Sequence, residues 1–189
     1  MTSRPPAARS FKGPWVEVVA LEETSGRASG SSSPDELLSS VQEMLREWGL
    51  GDLEVVVVSG RQKERLAKYM YQLAEELRDP SCKADAGEIR RAKAVILVGL
   101  RDGGDVIGMK CGACGFPSCE VMLQSRVAGL LFPGPTCVIR ALELGAAVGL
   151  LAWSRPVLSR DRKAMVRIGV AAKRLGLVKS DVTLGILLG

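Results

Sequence analysis

The chain of 189 residues contains no histidine, few aromatic side chains and no apolar run long enough to cross a bilayer. The missing histidine excludes Ser-His-Asp and Cys-His catalytic triads, histidine-ligated zinc, Rieske centres and histidine-ligated haem. Aromatic residues make up 4% of a chain that is 47% hydrophobic, so the core must consist mainly of Leu, Val, Ile and Ala. The best candidate span, Ala141 to Trp153, is interrupted by Glu143 and is too short.

The N-terminal residues give no sign of export. Arg4, Arg9 and Lys12 are basic, but the continuous apolar stretch of a signal peptide does not follow them. We therefore expect a soluble, cytoplasmic protein. Thiols stay reduced in the cytosol, so its cysteines are better interpreted as metal ligands than as disulfide partners.

The formal net charge of +5 is best interpreted as a mixed charged surface. The basic residues are interleaved with acidic ones, and the aromatic side chains that stack on bases are scarce. Four thiolates around a [4Fe–4S] core would also subtract about two charges locally. We therefore consider nucleic acid an unlikely partner.

Four of the five cysteines lie within a 27-residue window with the spacing C-x2-C-x4-C-x17-C: Cys111, Cys114, Cys119 and Cys137. Four thiolates form a soft ligand set that suits an iron–sulfur cluster or zinc. Gly112 and Gly115 carry no side chain, so backbone amides there could approach the sulfides of a cluster. Structural zinc usually shows two C-x2-C pairs, whereas this window holds one. Spacing alone leaves both metals open.

The motif that runs from Cys111 to Cys119, with Cys137 downstream, resembles the [4Fe–4S] domain of the B subunit of Rnf-type electron-transport complexes and of corrinoid iron–sulfur proteins. The resemblance covers about residues 108–140. It implies that Cys111, Cys114, Cys119 and Cys137 hold one [4Fe–4S] cluster.

A wider resemblance covers most of the chain beyond residue 34. The segments Gly134 to Val138, Leu142 to Gly149 and Ile168 to Leu177 are similar to a prokaryotic family, typical of anaerobes, described as uncharacterised ferredoxin-domain proteins. This resemblance implies a cluster and gives no reaction. The chain departs from the family at residues 1–33.

The sequence divides into a Gly- and Ser-rich flexible tail over residues 1–33, with a short strand at Trp15 to Leu21, and a single domain over residues 34–189. Helices are predicted over 34–48 after the capping box at Ser33, over 62–78, within 118–131, and over 137–153 and 161–175. Buried strands are predicted over 53–58, 94–100 and 182–188, with a turn over 102–105. Apolar strands that alternate with helices favour a layered α/β (α+β) fold. The central sheet would carry the cysteine-rich [4Fe–4S] module as an insert of about residues 108–140.

Two further residues are candidates for chemistry. Cys82 lies outside the ligand window, and we interpret it as a surface thiol that is not a ligand. Glu143 follows Cys137 within an apolar helix and could be a proton-coupled carboxylate. Pairing with Arg140, three residues earlier, is the more common arrangement.

Three functional hypotheses follow, and the sequence does not decide whether the protein is an enzyme. The first is a one-electron carrier that passes electrons to a redox protein partner. The second is an oxidoreductase in which the cluster serves a flavin on a nitroreductase-like core, with Arg61, Lys63 or Arg65 at a phosphate. The third is a non-redox protein with a structural or sensing metal site. The oligomeric state stays open.

Overall fold

The structure, a computed structural model, describes residues 33–100 and 110–189. The predicted tail before Ser33, the strand Trp15 to Leu21 and the turn Asp102 to Asp105 lie outside the described residues. Within the described ranges, no helix is long and apolar enough to cross a membrane.

Helices and strands follow one another closely along the described chain. In order they are α1 (Pro34–Glu47), β1 (Glu54–Val58), α2 (Gly60–Leu77), α3 (Ser81–Arg91), β2 (Ala94–Leu100), α4 (Cys119–Gln124), α5 (Val138–Ser154), α6 (Arg162–Arg174) and β3 (Val182–Leu188). The three predicted strands are confirmed to within one residue. The mixed α/β class is therefore confirmed.

The strands form one antiparallel sheet in the order β1–β2–β3. In the register, Glu54 of β1 lies opposite Gly99 of β2, and Ala94 of β2 lies opposite Leu188 of β3. All seven residues of the central strand β2 are buried. A strand buried on both faces explains why its sequence is a continuous apolar run rather than an alternating one.

Alternate residues of β2 enter two separate hydrophobic clusters because successive side chains of a strand point to opposite faces. Val95 and Leu97 pack in a cluster with α2, α3 and α6. Ile96 and Val98 pack in a second cluster with α1 and α5. The sheet is thus the middle layer between two layers of helices.

The N-terminus of α1 has the predicted capping box. The Ser33 hydroxyl accepts a hydrogen bond from the Glu36 amide at 3.2 Å, and the Glu36 carboxylate accepts one from the Ser33 amide at 2.9 Å. Two N–H groups that the helix leaves unpaired are satisfied in this way. Gly49, at a φ of +71°, follows the helix in the left-handed conformation that commonly ends helices.

Helix α3 was not predicted. Its sequence is polar, and its buried face consists of Cys82, Asp85, Ala86 and Ile89. The surface position predicted for Cys82 is therefore wrong. The first turn of α3 places this side chain, at 0% exposure, in the cluster that α2, α3 and α6 form with β2.

A buried ion pair joins α3 to α6. Arg167 Nε donates to Asp85 Oδ2 at 2.5 Å and Arg167 Nη2 donates to Asp85 Oδ1 at 3.1 Å, in a bidentate arrangement. Asp79 adds a third contact at 3.4 Å. These charge-assisted hydrogen bonds compensate the burial of both charges and fix the position of α3.

Helix α6 lies very close to β3. A Cβ atom added at Gly169 would lie 1.8 Å from the backbone oxygen of Thr183. Glycine is therefore required at residue 169, since a backbone atom of a paired strand cannot move aside as a side chain can. Helix α6 can lie this close to β3 because Gly169 has no side chain.

We expect Gly169→Ala to lower the free energy of unfolding by about 2–3 kcal/mol, because the added methyl overlaps the β3 backbone. Urea unfolding followed by circular dichroism measures the change. The matched control is Gly87→Ala in α3, where a Cβ meets no atom within 4 Å. This control should be unchanged or more stable by up to about 1 kcal/mol. Equal stability of Gly169→Ala and the wild type would contradict the close contact.

Candidate metal centre

The four cysteines of the motif lie in the segment between β2 and α5. All four are free thiols, and their exposure decreases along the segment. Cys111 is exposed, Cys114 and Cys119 are partly exposed, and Cys137 is buried. The segment thus has one end open to solvent and the other end in the core.

A tight turn contains the first pair of cysteines. Gly112 and Gly115 have φ angles of +70° and +83°, and the Gly115 amide donates to the Gly112 carbonyl at 2.9 Å. Glycine adopts this left-handed conformation without the steric cost that other residues have. The chain can therefore turn between Cys111 and Cys114 and leave backbone amides uncovered by side chains.

Cys119 is the first residue of α4. Ser118 is the N-cap, and its hydroxyl accepts a hydrogen bond from the Val121 amide at 3.3 Å. The helix predicted within residues 118–131 is confirmed, and it ends at Gln124. Val127 and Gly134 exchange two backbone hydrogen bonds, of 2.7 and 3.0 Å, and this β-bridge is incompatible with a longer helix.

Cys137 is the N-cap residue of α5. Its carbonyl accepts from the Ala141 amide at 2.9 Å, which begins the hydrogen-bond pattern of the helix. The positive end of the helix dipole favours negative charge at this position.

One ion pair and one hydrogen bond attach the loop between Cys119 and Cys137 to the core. Arg126 lies 2.9 Å from the Asp181 carboxylate just before β3, and Lys173 of α6 lies 3.4 Å from the same carboxylate. Arg174 Nη2 donates to the carbonyl of Leu130 at 3.1 Å. Asp181 was not predicted from the sequence. It lies far from Arg126 along the chain, and no motif links the two residues.

The pKa of Asp181 is lower than its ordinary value of 3.8. Burial by itself raises this pKa, but the hydrogen bonds and positive charges of Arg126 and Lys173 outweigh burial. The folded protein therefore holds Asp181 ionised more strongly than the unfolded chain does.

Glu143 forms the ion pair with Arg140 that is the more common arrangement for such a residue. Arg140 Nη1 lies 2.5 Å from the Glu143 carboxylate, and Arg140 is buried one turn after Cys137. The structure thus shows an ion pair with Arg140 at Glu143.

The donor set suits an iron–sulfur cluster in its chemistry, since four reduced thiols lie in one segment. Its geometry is not assembled in this structure: among residues 33–100 and 110–189, no three or more Cys, Asp or Glu side chains lie close enough together to hold a metal ion. The four cysteines are thus close together in sequence, but in the described structure no three of their sulfur atoms lie close enough together to hold one metal ion.

Two further candidates, Cys82 and Lys63, have structural roles. Burial in the apolar cluster, and then the nearby Asp79 carboxylate, raise the pKa of Cys82, which is the opposite of an activated thiol. Lys63 donates to the carbonyls of Ala92, at 2.5 Å, and Arg90, at 3.1 Å. It therefore neutralises the C-terminal end of α3 instead of presenting its charge to a phosphate.

A cleft of about 370 Å³ lies beside α1 and β1. It is lined by Gln42, Leu45, Arg46, Leu50, Gly51, Leu53, Glu54, Val55 and Val56. None of these residues belongs to the cysteine segment or to the basic stretch Arg61 to Arg65. The cleft therefore gives no support to a flavin held beside the cysteines.

Comparison with known proteins identifies the class. Residues 133–189, from the loop before Cys137 to the end of β3, match the family described as "Uncharacterized protein containing a ferredoxin domain". An uncharacterized protein of Archaeoglobus fulgidus is 36% identical over 138 residues, which cover 73% of this chain and 74% of that protein. No solved structure matches the chain. The chain belongs to this family of ferredoxin-domain proteins, as the sequence resemblance implied.

We expect Asp181→Asn to lower the free energy of unfolding by about 1–2 kcal/mol at pH 7, because the charges of Arg126 and Lys173 lose their common partner. A group whose pKa is lowered on folding contributes stability above its ordinary pKa of 3.8 and loses it as the pH falls through the folded value. The difference between variant and wild type should therefore shrink below about pH 4.

Urea unfolding at a series of pH values measures this difference. Asp52→Asn, at an exposed aspartate, is the matched control and should stay within about 0.5 kcal/mol of the wild type. A difference for Asp181→Asn that is independent of pH down to pH 3 would show that the carboxylate charge is not the stabilising feature.

Proposed function

We propose that the protein is a one-electron carrier that holds a single [4Fe–4S] cluster on Cys111, Cys114, Cys119 and Cys137. The observation that carries the proposal is the set of four free thiols in one 27-residue segment of a chain that belongs to a ferredoxin-domain family. When bound, such a cluster supplies one-electron redox chemistry at a potential set by its surroundings.

The spacing of the cysteines supports iron–sulfur over zinc. The left-handed Gly112 and Gly115 also let the turn come close to a bound cluster, and amides of this turn other than that of Gly115, which bonds to the Gly112 carbonyl, could stabilise a reduced cluster by N–H···S hydrogen bonds. One C-x2-C pair with two remote cysteines also departs from the usual zinc pattern.

Two of the four cysteines have distinct roles in this proposal. Buried Cys137 would connect the cluster to the core at the N-terminus of α5, where the helix dipole favours negative charge. Cys111, which is exposed, would mark the side from which a redox protein partner in the cytoplasm approaches.

Metal binding would also complete the geometry of the site. The segment from Lys110 to Ser118 contains no helix or strand, so its thiols can move without breaking a regular element. The other side is already fastened by Arg126 and Arg174. We therefore expect the loop that carries Cys111 and Cys114 to move toward Cys119 and Cys137, since binding energy repays the ordering of the loop.

Anaerobically purified protein should contain about four irons and four sulfides per chain, with a broad absorbance near 400 nm. Cys119→Ser and Cys137→Ser should each lose most of the iron, because they remove a ligand. Cys82→Ala is the matched control, since this buried thiol lies outside the segment, and it should keep the full complement. Stoichiometric zinc in a colourless protein would refute the proposed cluster.

Reductive titration tests the electron-transfer role separately from the cluster. One electron per chain should be taken up reversibly, and the reduced protein should give an EPR signal that integrates to about one spin. A cluster that cannot be reduced without loss of iron would point instead to a structural or sensing role. Global unfolding of Cys119→Ser would support that structural alternative.

A further inference from the structure

The outer face of α5 is apolar along almost its whole length. Its exposed residues up to Trp153 are Val138, Ala141, Leu142, Gly145, Ala146, Gly149 and Trp153. Leu142 and Trp153 are each 64% exposed. A surface helix ordinarily presents polar side chains to water, and a helix that is apolar all round is ordinarily buried. A single copy of the described chain leaves this face uncovered.

Packing within one copy of the described chain does not require the two glycines at the centre of this face. A Cβ atom added at Gly145 or Gly149 would meet no atom within 4 Å. Glycine is unfavourable inside a helix, so a contact outside the single copy would give these two glycines a reason. Close approach of a second backbone is such a contact, since only glycine leaves room for it.

The order of residues along the face is self-complementary. A two-fold axis between Gly145 and Ala146, with the helices antiparallel, places Leu142 opposite Gly149 of the other copy. The same axis places Val138 opposite Trp153. Each large side chain thus faces a smaller one, as a symmetric interface requires.

We propose that the α5 face binds the α5 face of a second copy of this chain in an antiparallel homodimer. The chain carries a net charge of +5, so two copies repel each other wherever basic surfaces meet. The exposed α5 face up to Trp153 contains no charged residue, because Arg140 is buried and pairs with Glu143. An uncharged, self-complementary face suits a second copy better than it suits a charged partner.

The area buried between the two α5 helices determines how tightly the dimer should associate. A helix of 17 residues is roughly 25 Å long, and one pair of such helices buries less than the about 1,200 Å² of a standard interface. We therefore expect a dimer that dissociates in the micromolar range.

The antiparallel arrangement places the two cysteine segments at opposite ends of the pair, roughly 25 Å apart, and leaves both accessible.

Sedimentation equilibrium of the full chain, purified anaerobically, tests this proposal across the micromolar range. The mass should rise with concentration from 20.2 kDa toward twice that value. Leu142→Lys, which introduces charge, and Gly145→Leu, which blocks close approach, should each raise the dissociation constant at least about tenfold. Gly145→Leu points into open space within one copy, so its circular dichroism should match the wild type.

Leu130→Lys is the matched control, because Leu130 is 74% exposed and lies outside α5. Its dissociation constant should equal that of the wild type. The proposal is overturned if the wild type stays monomeric, whatever else covers the face, or if the dimer survives both α5 variants. It is also overturned if Leu130→Lys weakens the dimer as much as Leu142→Lys. The dimer does not depend on the cluster, so metal analysis of the same samples tests the two proposals separately.

Discussion

The burial of β2 on both faces is the constraint on which the rest of the structure depends. Its seven residues are fully enclosed, and their side chains alternate between two clusters that together include all the longer helices. Each large aliphatic side chain buried there contributes roughly 1.5–3 kcal/mol. The sheet is held as a middle layer because neither cluster can form without this strand.

The cysteine segment is attached to this layered core through its second half, from Arg126 to Cys137. Cys137 begins α5, which packs on one face of the sheet. Arg126 and Arg174 connect the preceding loop to Asp181 and to α6. The core therefore orients the buried end of the segment, while the loop at Cys111 lies open. This arrangement suits a site in which a rigid support carries an adaptable ligand loop.

Local signals predicted most elements well, and failures occurred where tertiary contacts override them. The capping box at Ser33 and the apolar run of β2 were read correctly, because both act through neighbours in sequence. Helix α3 was missed, since the buried Arg167–Asp85 pair stabilises a helix whose own residues are polar. Helix α4 was predicted only as lying within residues 118–131, because the bridge between Val127 and Gly134, which limits the helix, joins residues whose pairing no local pattern reveals.

The sequence by itself determined the class of the protein: the four spaced cysteines, the absence of histidine and the resemblance to a ferredoxin-domain family do not depend on the fold. The apolar strands and the amphipathic helices likewise determined the mixed α/β class, because side-chain periodicity follows from backbone geometry. Only the tertiary structure decided that Cys82 is buried, that Asp181 holds Arg126 and that α5 presents an apolar outer face. Each of these depends on residues far apart in the chain, and their proximity is set by packing rather than by local preference.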